Sequence, residues 1–212
     1  MKKNVYFVSG IDTNIGKSYA TAYLAKTWNE RGIRTITEKL IQTGNTNMSE
    51  DIELHRRIMG TGLLSEDKER LTMPEIFSYP CSPHLAAEID KRPIDFDKIE
   101  RATQTLSERY DAVLLEGAGG LMVPLTRELL TIDYVAQKQY PLVFVTSGRL
   151  GSINHTLLSL EAMTRRGIRL HTLFPEEDDE IIRRDTEEYM RDLLKREYPE
   201  AEFVVVPFLG TK

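Results

Sequence analysis

Residues 10–18 read Gly10-Ile11-Asp12-Thr13-Asn14-Ile15-Gly16-Lys17-Ser18; they follow a short apolar run, Val5-Tyr6-Phe7-Val8-Ser9, and open a helical pattern from about Lys17 to Glu30. A glycine-bounded loop ending Gly-Lys-Ser between a strand and a helix restricts the fold more than any other feature. Such a loop points backbone N–H groups inward, and the helix N-terminus adds partial positive charge, so the two cradle phosphate oxygens. The lysine reaches the terminal phosphates and the serine hydroxyl can hold Mg²⁺. The usual spacing puts four residues between the glycines. Here Ile11 through Ile15 make five. The competing reading is an ordinary strand-to-helix turn, and the strand–loop–helix context argues against it.

The 212 residues suit one α/β domain spanning 1–212. A net charge of −5 gives no general attraction to nucleic acid. Cys81 is the only cysteine, which excludes an internal disulfide and a cysteine-rich metal site. The apolar run behind Met1-Lys2-Lys3 is too short for a signal-peptide core or a bilayer span, so no membrane association and a cytoplasmic location are expected.

Apolar β-branched runs at 4–9, 33–38, 111–116, 141–147, 168–174 and 202–207 alternate with helical patterns near 17–31, 51–59, 83–90, 95–109, 131–139, 152–166 and 179–195. This alternation predicts a mostly parallel, doubly wound sheet with helices on both faces, the P-loop nucleoside triphosphate hydrolase fold. Ala112-Val113-Leu114-Leu115 and Leu142-Val143-Phe144-Val145 are apolar throughout, as strands buried on both faces should be. Residues 60–83 have weak periodicity and read as a long excursion over the active-site edge.

In open sheets of this kind ligands sit beyond the carboxyl ends of the strands. Lys39 ends the second strand and reads equally as a surface lysine or a substrate-binding one. Asp51 opens a helix, where a capping or first-turn carboxylate is the plainer use. Glu116-Gly117-Ala118-Gly119-Gly120 puts a carboxylate before small residues, open to a phosphate or metal, or is simply a turn. Ser18, Asp51 and Glu116 would supply the few oxygen ligands that Mg²⁺ takes beside nucleotide phosphates. Lys17 and Lys39 would offset the charge of a triphosphate facing an anionic co-substrate, and phosphoryl transfer needs mainly such positioning. His84, His155 and His171 are scattered, with no triad or metal-binding histidine cluster. After strand 141–147, Ser152 looks like the N-cap of the next helix, whose N-terminus could receive a carboxylate.

The combination resembles the dethiobiotin synthetase family. It is carried by the five-residue loop with Asp12-Thr13 and Gly16-Lys17-Ser18, by Lys39, by Ser82-Pro83-His84, by residues 116–120 and by Leu150-Gly151-x-Ile153-Asn154-His155, in the family's order over roughly residues 4–166. The resemblance implies conversion of 7,8-diaminopelargonate, CO₂ and ATP to dethiobiotin, ADP and phosphate, through a carbamate and a carbamic–phosphoric anhydride, with Mg²⁺. It implies Lys39 and Lys17 as catalytic residues and Ser18, Asp51 and Glu116 around the metal. It implies a nucleotide site of Asn14, Ile15, Gly16, Lys17, Ser18, Tyr19, Asp51, Glu116, Gly117, Ala118 and Gly119, with Pro207, Phe208 and Leu209 lining the base. Thr13 and Thr43 would contact the diamine. The family is a homodimer, so the region Leu150, Gly151, Ser152, Ile153 and Asn154 would meet the substrate carboxylate across the interface, near Tyr189.

Three departures stand out. Ile11 and Leu40 replace the family's common Thr and Pro. Leu173-Phe174-Pro175-Glu176-Glu177 lacks the asparagine with which many members contact adenine. Looser discrimination among nucleotides is therefore expected. Two rivals share the fold. An amidoligase of the cobyric acid type needs a glutaminase domain with a reactive cysteine, and Cys81 has no such context. A partitioning or positioning ATPase has a second lysine near the first glycine, where this chain has Ile11.

Overall fold

The computed structural model describes residues 4–176 and 180–205, and the side chains of these except 173–176 and 180–183. Six strands form the central sheet: β1 (Val5–Gly10), β2 (Thr35–Lys39), β5 (Ala112–Glu116), β6 (Leu142–Ser147), β7 (Leu170–Glu176) and β8 (Glu202–Phe203). Their order is β2-β5-β1-β6-β7-β8 and every pairing is parallel. Two short strands, β3 (Gln42–Thr43) and β4 (Ile76–Phe77), pair apart from it. The helices are α1 (Lys17–Glu30), α2 (Glu50–Met59), α3 (Ser65–Lys68), α4 (Pro83–Ile89), α5 (Phe96–Arg109), α6 (Thr131–Lys138), α7 (Ser152–Thr164) and α8 (Glu180–Glu197).

The period-two alternation of strand side chains sorts the core into two layers. Phe7, Val113, Leu115, Leu142 and Phe144 face one side, with Ile99 and Leu106 of α5, Ile132 and Val135 of α6, and Leu160 and Met163 of α7. Val8, Ala112, Leu114, Val143 and Val145 face the other, against Ala20, Leu24, Ala25 and Trp28 of α1. Every side chain of β2, β5 and β6 is buried, as the expected doubly wound arrangement demands. The register places Glu116 beside Val8 of β1 on one flank and Lys39 of β2 on the other. The carboxyl ends of these three strands thus open on one crevice, where the chain order reverses.

Several local expectations are corrected. The second strand starts later than 33–38, because Gly32 takes φ +82° and a half-exposed Ile33 completes the turn after α1. Lys39 is the last residue of the strand, as expected. Residues 60–83 carry regular structure that their weak periodicity does not announce. They hold α3 and β4, and the backbone N–H of Lys39 donates to the Thr72 carbonyl at 2.7 Å and that of Gln42 to Glu75 at 2.8 Å. Ser152 is not the cap of α7. Gly151, at φ +90°, caps that helix with no side-chain bond, and Ser152 is its first residue, buried with its hydroxyl unpartnered among the described residues. Glycine takes that left-handed backbone without the Cβ penalty serine would meet.

Two buried polar clusters, one on each face of β2, shape the sheet edge. Arg56 of α2 makes a two-pronged pair with Asp67 of α3, Nε to Oδ2 and Nη2 to Oδ1, both 2.8 Å, and its Nη1 donates to Thr37 Oγ1 at 2.8 Å. Thr72 Oγ1 donates to the same Asp67 at 2.7 Å. Glu38 lies on the opposite face of β2 from Lys39. Its Oε1 accepts from Thr103 Oγ1 of α5 at 2.9 Å, and its Oε2 has no partner among the described residues. Burial holds its carboxyl well above the usual carboxylate range, against the smaller opposing effect of the Thr103 bond.

The folded chain therefore keeps a proton on Glu38 that the unfolded chain releases above about pH 4.3. Stability falls as pH rises from there toward the folded pKa. Glu38→Gln should raise the melting temperature at pH 8, by roughly 2–4 °C per kcal/mol recovered in a chain of this length. Near pH 4 it should leave the melting temperature unchanged. Parallel thermal melts at the two pH values check this.

Candidate active site

The phosphate loop folds as its glycines require. A Cβ at Gly10 would lie 2.6 Å from the Val145 carbonyl oxygen and would also collide with the Ile15 side chain. Gly16, at φ +81°, caps α1 without a side-chain bond, and Asn14 also takes positive φ. The first N–H groups of α1 are thus left for an anion. The Lys17 side chain bends back, and Nζ donates to the Asp12 carbonyl at 2.6 Å. Burial lowers its pKa to about 8, only partly opposed by Glu116. The Asp12 carboxylate faces outward and meets Arg149 at 2.9 Å. Its pKa is lowered chiefly by the Thr13 N–H, with Arg149 also lowering it, against the opposing effect of burial.

Beyond the loop the strand ends converge. Glu116 is fully buried. Its Oε1 lies 2.8 Å from Lys39 Nζ and 2.8 Å from Ser18 Oγ, and its Oε2 accepts from Thr21 Oγ1 at 2.8 Å. Asp51, in the first turn of α2, leaves the capping to Ser49, whose Oγ accepts from Ile52 N at 3.2 Å. Its carboxylate turns inward, Oδ2 2.5 Å from Lys39 Nζ and Oδ1 2.8 Å from Ser18 Oγ. Burial would lower the Lys39 pKa, but Glu116 and Asp51 overcome it and hold it above the ordinary lysine value. Burial would raise Glu116, and the Lys39 charge and the His55 hydrogen bond reverse that to hold it well below the carboxylate range.

One hydroxyl hydrogen on Ser18 cannot serve both carboxylate oxygens within 2.8 Å of it. Three hard oxygens therefore converge where a small cation would satisfy all of them. Among the described residues no three His, Cys, Asp or Glu side chains gather as a metal cage. Mg²⁺ needs none, because it takes one or two carboxylates and draws its other ligands from phosphate and water. The residues fit that ion.

The cluster lies at the wall of a cavity of about 780 Å³. Of the expected site residues, Thr13, Asn14, Ile15, Gly16, Lys17, Ser18, Tyr19, Lys39, Thr43, Asp51, Glu116, Ala118 and Gly119 line it. Gly117 stands behind: a Cβ there would lie 2.9 Å from the Phe7 ring, and its carbonyl accepts from Lys39 Nζ at 3.2 Å. Leu150, Gly151, Ser152, Ile153 and Asn154 do not line the cavity, and Leu150 is 86% exposed. Tyr189 lines a separate surface hollow with Asp185, Glu188, Asp192 and Arg196. Pro207, Phe208 and Leu209 lie outside the described residues.

Pro80, Cys81, Ser82 and Pro83 also line the cavity, so the end of the 60–83 segment lies at the active-site edge, as expected. One group escaped the sequence reading. His55 is fully buried against Glu116, Nε2 to Oε2 at 3.0 Å. A signal for it existed, since His55 follows Asp51 by four residues and so shares its helix face.

Residues 4–188 match the family model described as an AAA domain. The chain is 47% identical to the ATP-dependent dethiobiotin synthetase BioD 2 of Pasteurella multocida, over 97% of this chain and 98% of that one. It is 52% identical to the ATP-dependent dethiobiotin synthetase BioD of Chlorobaculum tepidum, over 92% and 83%. Among solved structures, the MinC:MinD cell division protein complex of Aquifex aeolicus matches with a TM-score of 0.57 at 13% identity, covering 96% of this chain and 81% of that one, which supports the P-loop fold alone. By identity and coverage together, the chain belongs to the ATP-dependent dethiobiotin synthetase family.

Proposed function

We propose that the chain is an ATP-dependent cyclo-ligase of biotin biosynthesis, converting 7,8-diaminopelargonate and CO₂ to dethiobiotin with release of ADP and phosphate. One amine of the substrate adds to CO₂ and loses a proton, giving a carbamate. A carbamate oxygen takes the γ-phosphoryl group of ATP, and ADP leaves. The second amine attacks the carbonyl carbon of the resulting anhydride, loses its proton and expels phosphate, closing the ureido ring. No step needs an enzyme nucleophile.

The observation that carries this reading is the meeting of Lys39 Nζ with Asp51 at 2.5 Å and Glu116 at 2.8 Å beside the phosphate loop. A fully charged ammonium there can receive a carbamate oxygen while Lys17 neutralises the terminal phosphates. Two anions that repel in water can then approach. Mg²⁺ held by Ser18, Asp51 and Glu116 would supply further charge neutralisation at the phosphates. The nucleotide would be held by residues 14–19 and 116–119, and by Pro207, Phe208 and Leu209 at the base. Thr13 and Thr43 would orient the diamine.

The same reading makes the protein a cytoplasmic homodimer. Residues 150–154 and Tyr189 would meet the substrate carboxylate of the partner subunit. Support for this is their position: they lie away from the cavity of their own chain, Leu150, Gly151 and Asn154 are exposed, and α7 begins at a glycine cap with no side-chain bond. Among the described residues no helix is long and apolar enough to cross a membrane.

Incubation with 7,8-diaminopelargonate, bicarbonate, Mg²⁺ and ATP should yield dethiobiotin by mass spectrometry, and absence of product would refute the reaction. Lys39→Ala should lower kcat by about 10²–10³-fold. By calorimetry its MgATP affinity should stay within about threefold, because the loss falls on the transition state. Lys17→Ala should weaken ATP binding itself by about 10–100-fold, the cost of a lost charge-assisted hydrogen bond. Steady-state rates with ATP, CTP and GTP should lie closer together than in a relative that carries the adenine-contacting asparagine.

A further inference from the structure

Glu116 has two oxygens and several neighbours, but few of those neighbours are committed to it. Ser18 shares one hydrogen between Glu116 and Asp51. Thr21 Oγ1 lies 2.8 Å from Glu116 Oε2 and also 2.8 Å from the Lys17 carbonyl, again with one hydrogen for two acceptors. On the Oε1 side, Lys39 is the donor that stays. On the Oε2 side that part falls to His55, whose Nε2 lies 3.0 Å away.

The hydrogens on His55 follow from its other neighbour. Thr37 Oγ1 accepts from Arg56 Nη1 at 2.8 Å, a group that can only donate. Among the described residues, the acceptor within reach of the Thr37 hydroxyl hydrogen is His55 Nδ1, at 3.0 Å. Nδ1 therefore accepts and Nε2–H donates. A directed chain results: Arg56 to Thr37, Thr37 to His55, His55 to Glu116. All four side chains are buried to 2% exposure or less.

We propose that His55 is a positioning residue for the reaction: its Nε2–H fixes Oε2 of Glu116, so that Oε1 stays turned to Ser18, Lys39 and the divalent cation. The proposal rests on the reading of Glu116 as a metal-side carboxylate. Partners that orient a ligating carboxylate in this way typically set metal affinity by 10–100-fold.

Two substitutions separate orientation from packing. His55→Gln places an amide N–H close to where Nε2 sits. His55→Asn reaches only to the Nδ1 position, keeping the Thr37 contact and losing the donor to Glu116. Titration of the protein with Mn²⁺ in the presence of saturating ADP, followed by electron paramagnetic resonance, gives the cation affinity, and calorimetry without divalent ion gives that of ADP alone. His55→Asn should weaken Mn²⁺ by at least about tenfold, and His55→Gln should restore it to within about threefold of wild type. ADP affinity without the cation should change by less than about twofold in both. Nitrogen-15 spectra of the wild-type histidines, with the His55 signals assigned by their loss in His55→Gln, should show a protonated Nε2 and a bare Nδ1. This measurement does not depend on the asparagine variant folding.

A protonated Nδ1 with a bare Nε2 would overturn the proposal, as would wild-type Mn²⁺ affinity in His55→Asn or equal impairment of both variants. If instead the wild-type protein itself binds ADP without any gain from Mn²⁺, the metal role of Glu116 falls, and the proposal falls with it for that separate reason.

Discussion

The salt bridge between Lys39 and Glu116 is what the rest of the site depends on. A carboxylate and an ammonium buried together each lose several kcal/mol of hydration, and their attraction offsets that only with good geometry and further hydrogen bonds. Here the sheet register supplies the geometry, because Lys39 and Glu116 are directly paired residues of neighbouring parallel strands. A slip of one residue would turn Lys39 to the α5 side and bring Glu38 into the site. Removing Glu116 would leave Lys39 paired with Asp51 alone, and removing Lys39 would leave Glu116 with its uncharged hydrogen-bond donors, so charge and register support each other. The site is thus part of the sheet rather than an addition to its surface.

Much of this was legible in the sequence, for reasons of periodicity and backbone chemistry. Strands buried on both faces announce themselves as unbroken apolar runs, and the phosphate loop announces itself by glycines that no other residue can replace. The rule that ligands gather at the carboxyl ends of strands then pointed to Lys39 and Glu116. Burial was not legible. Lys39 reads as readily as a surface lysine, and only the fold reveals it enclosed by two carboxylates. His55 escaped although it shares a helix face with Asp51, because the partner that gives it meaning, Glu116, lies 61 residues away. Ser152 misled for the opposite reason. Its type favours a helix cap, but the neighbouring glycine takes the left-handed backbone first. Residues 60–83 have elements too short to leave a period.

The same architecture serves proteins of different purpose. The fold is shared with the MinC:MinD cell division protein complex at 13% identity, so it says little about what is made or moved. Beyond the fold, this chain gathers at its strand ends a buried ammonium beside two carboxylates and a cavity wall built from β3, the turn into α4 and the glycine-rich stretch after β5.

The clamp of Arg56 on Asp67 has a mechanical corollary. It rivets the start of the insertion between α2 and α4 to the sheet edge, and the backbone bonds from Lys39 and Gln42 to Thr72 and Glu75 stitch down its middle. The insertion therefore cannot hinge as one flap. The stretch that borders the cavity, Pro80 to Pro83, is thereby hung between this anchored frame and the start of α4.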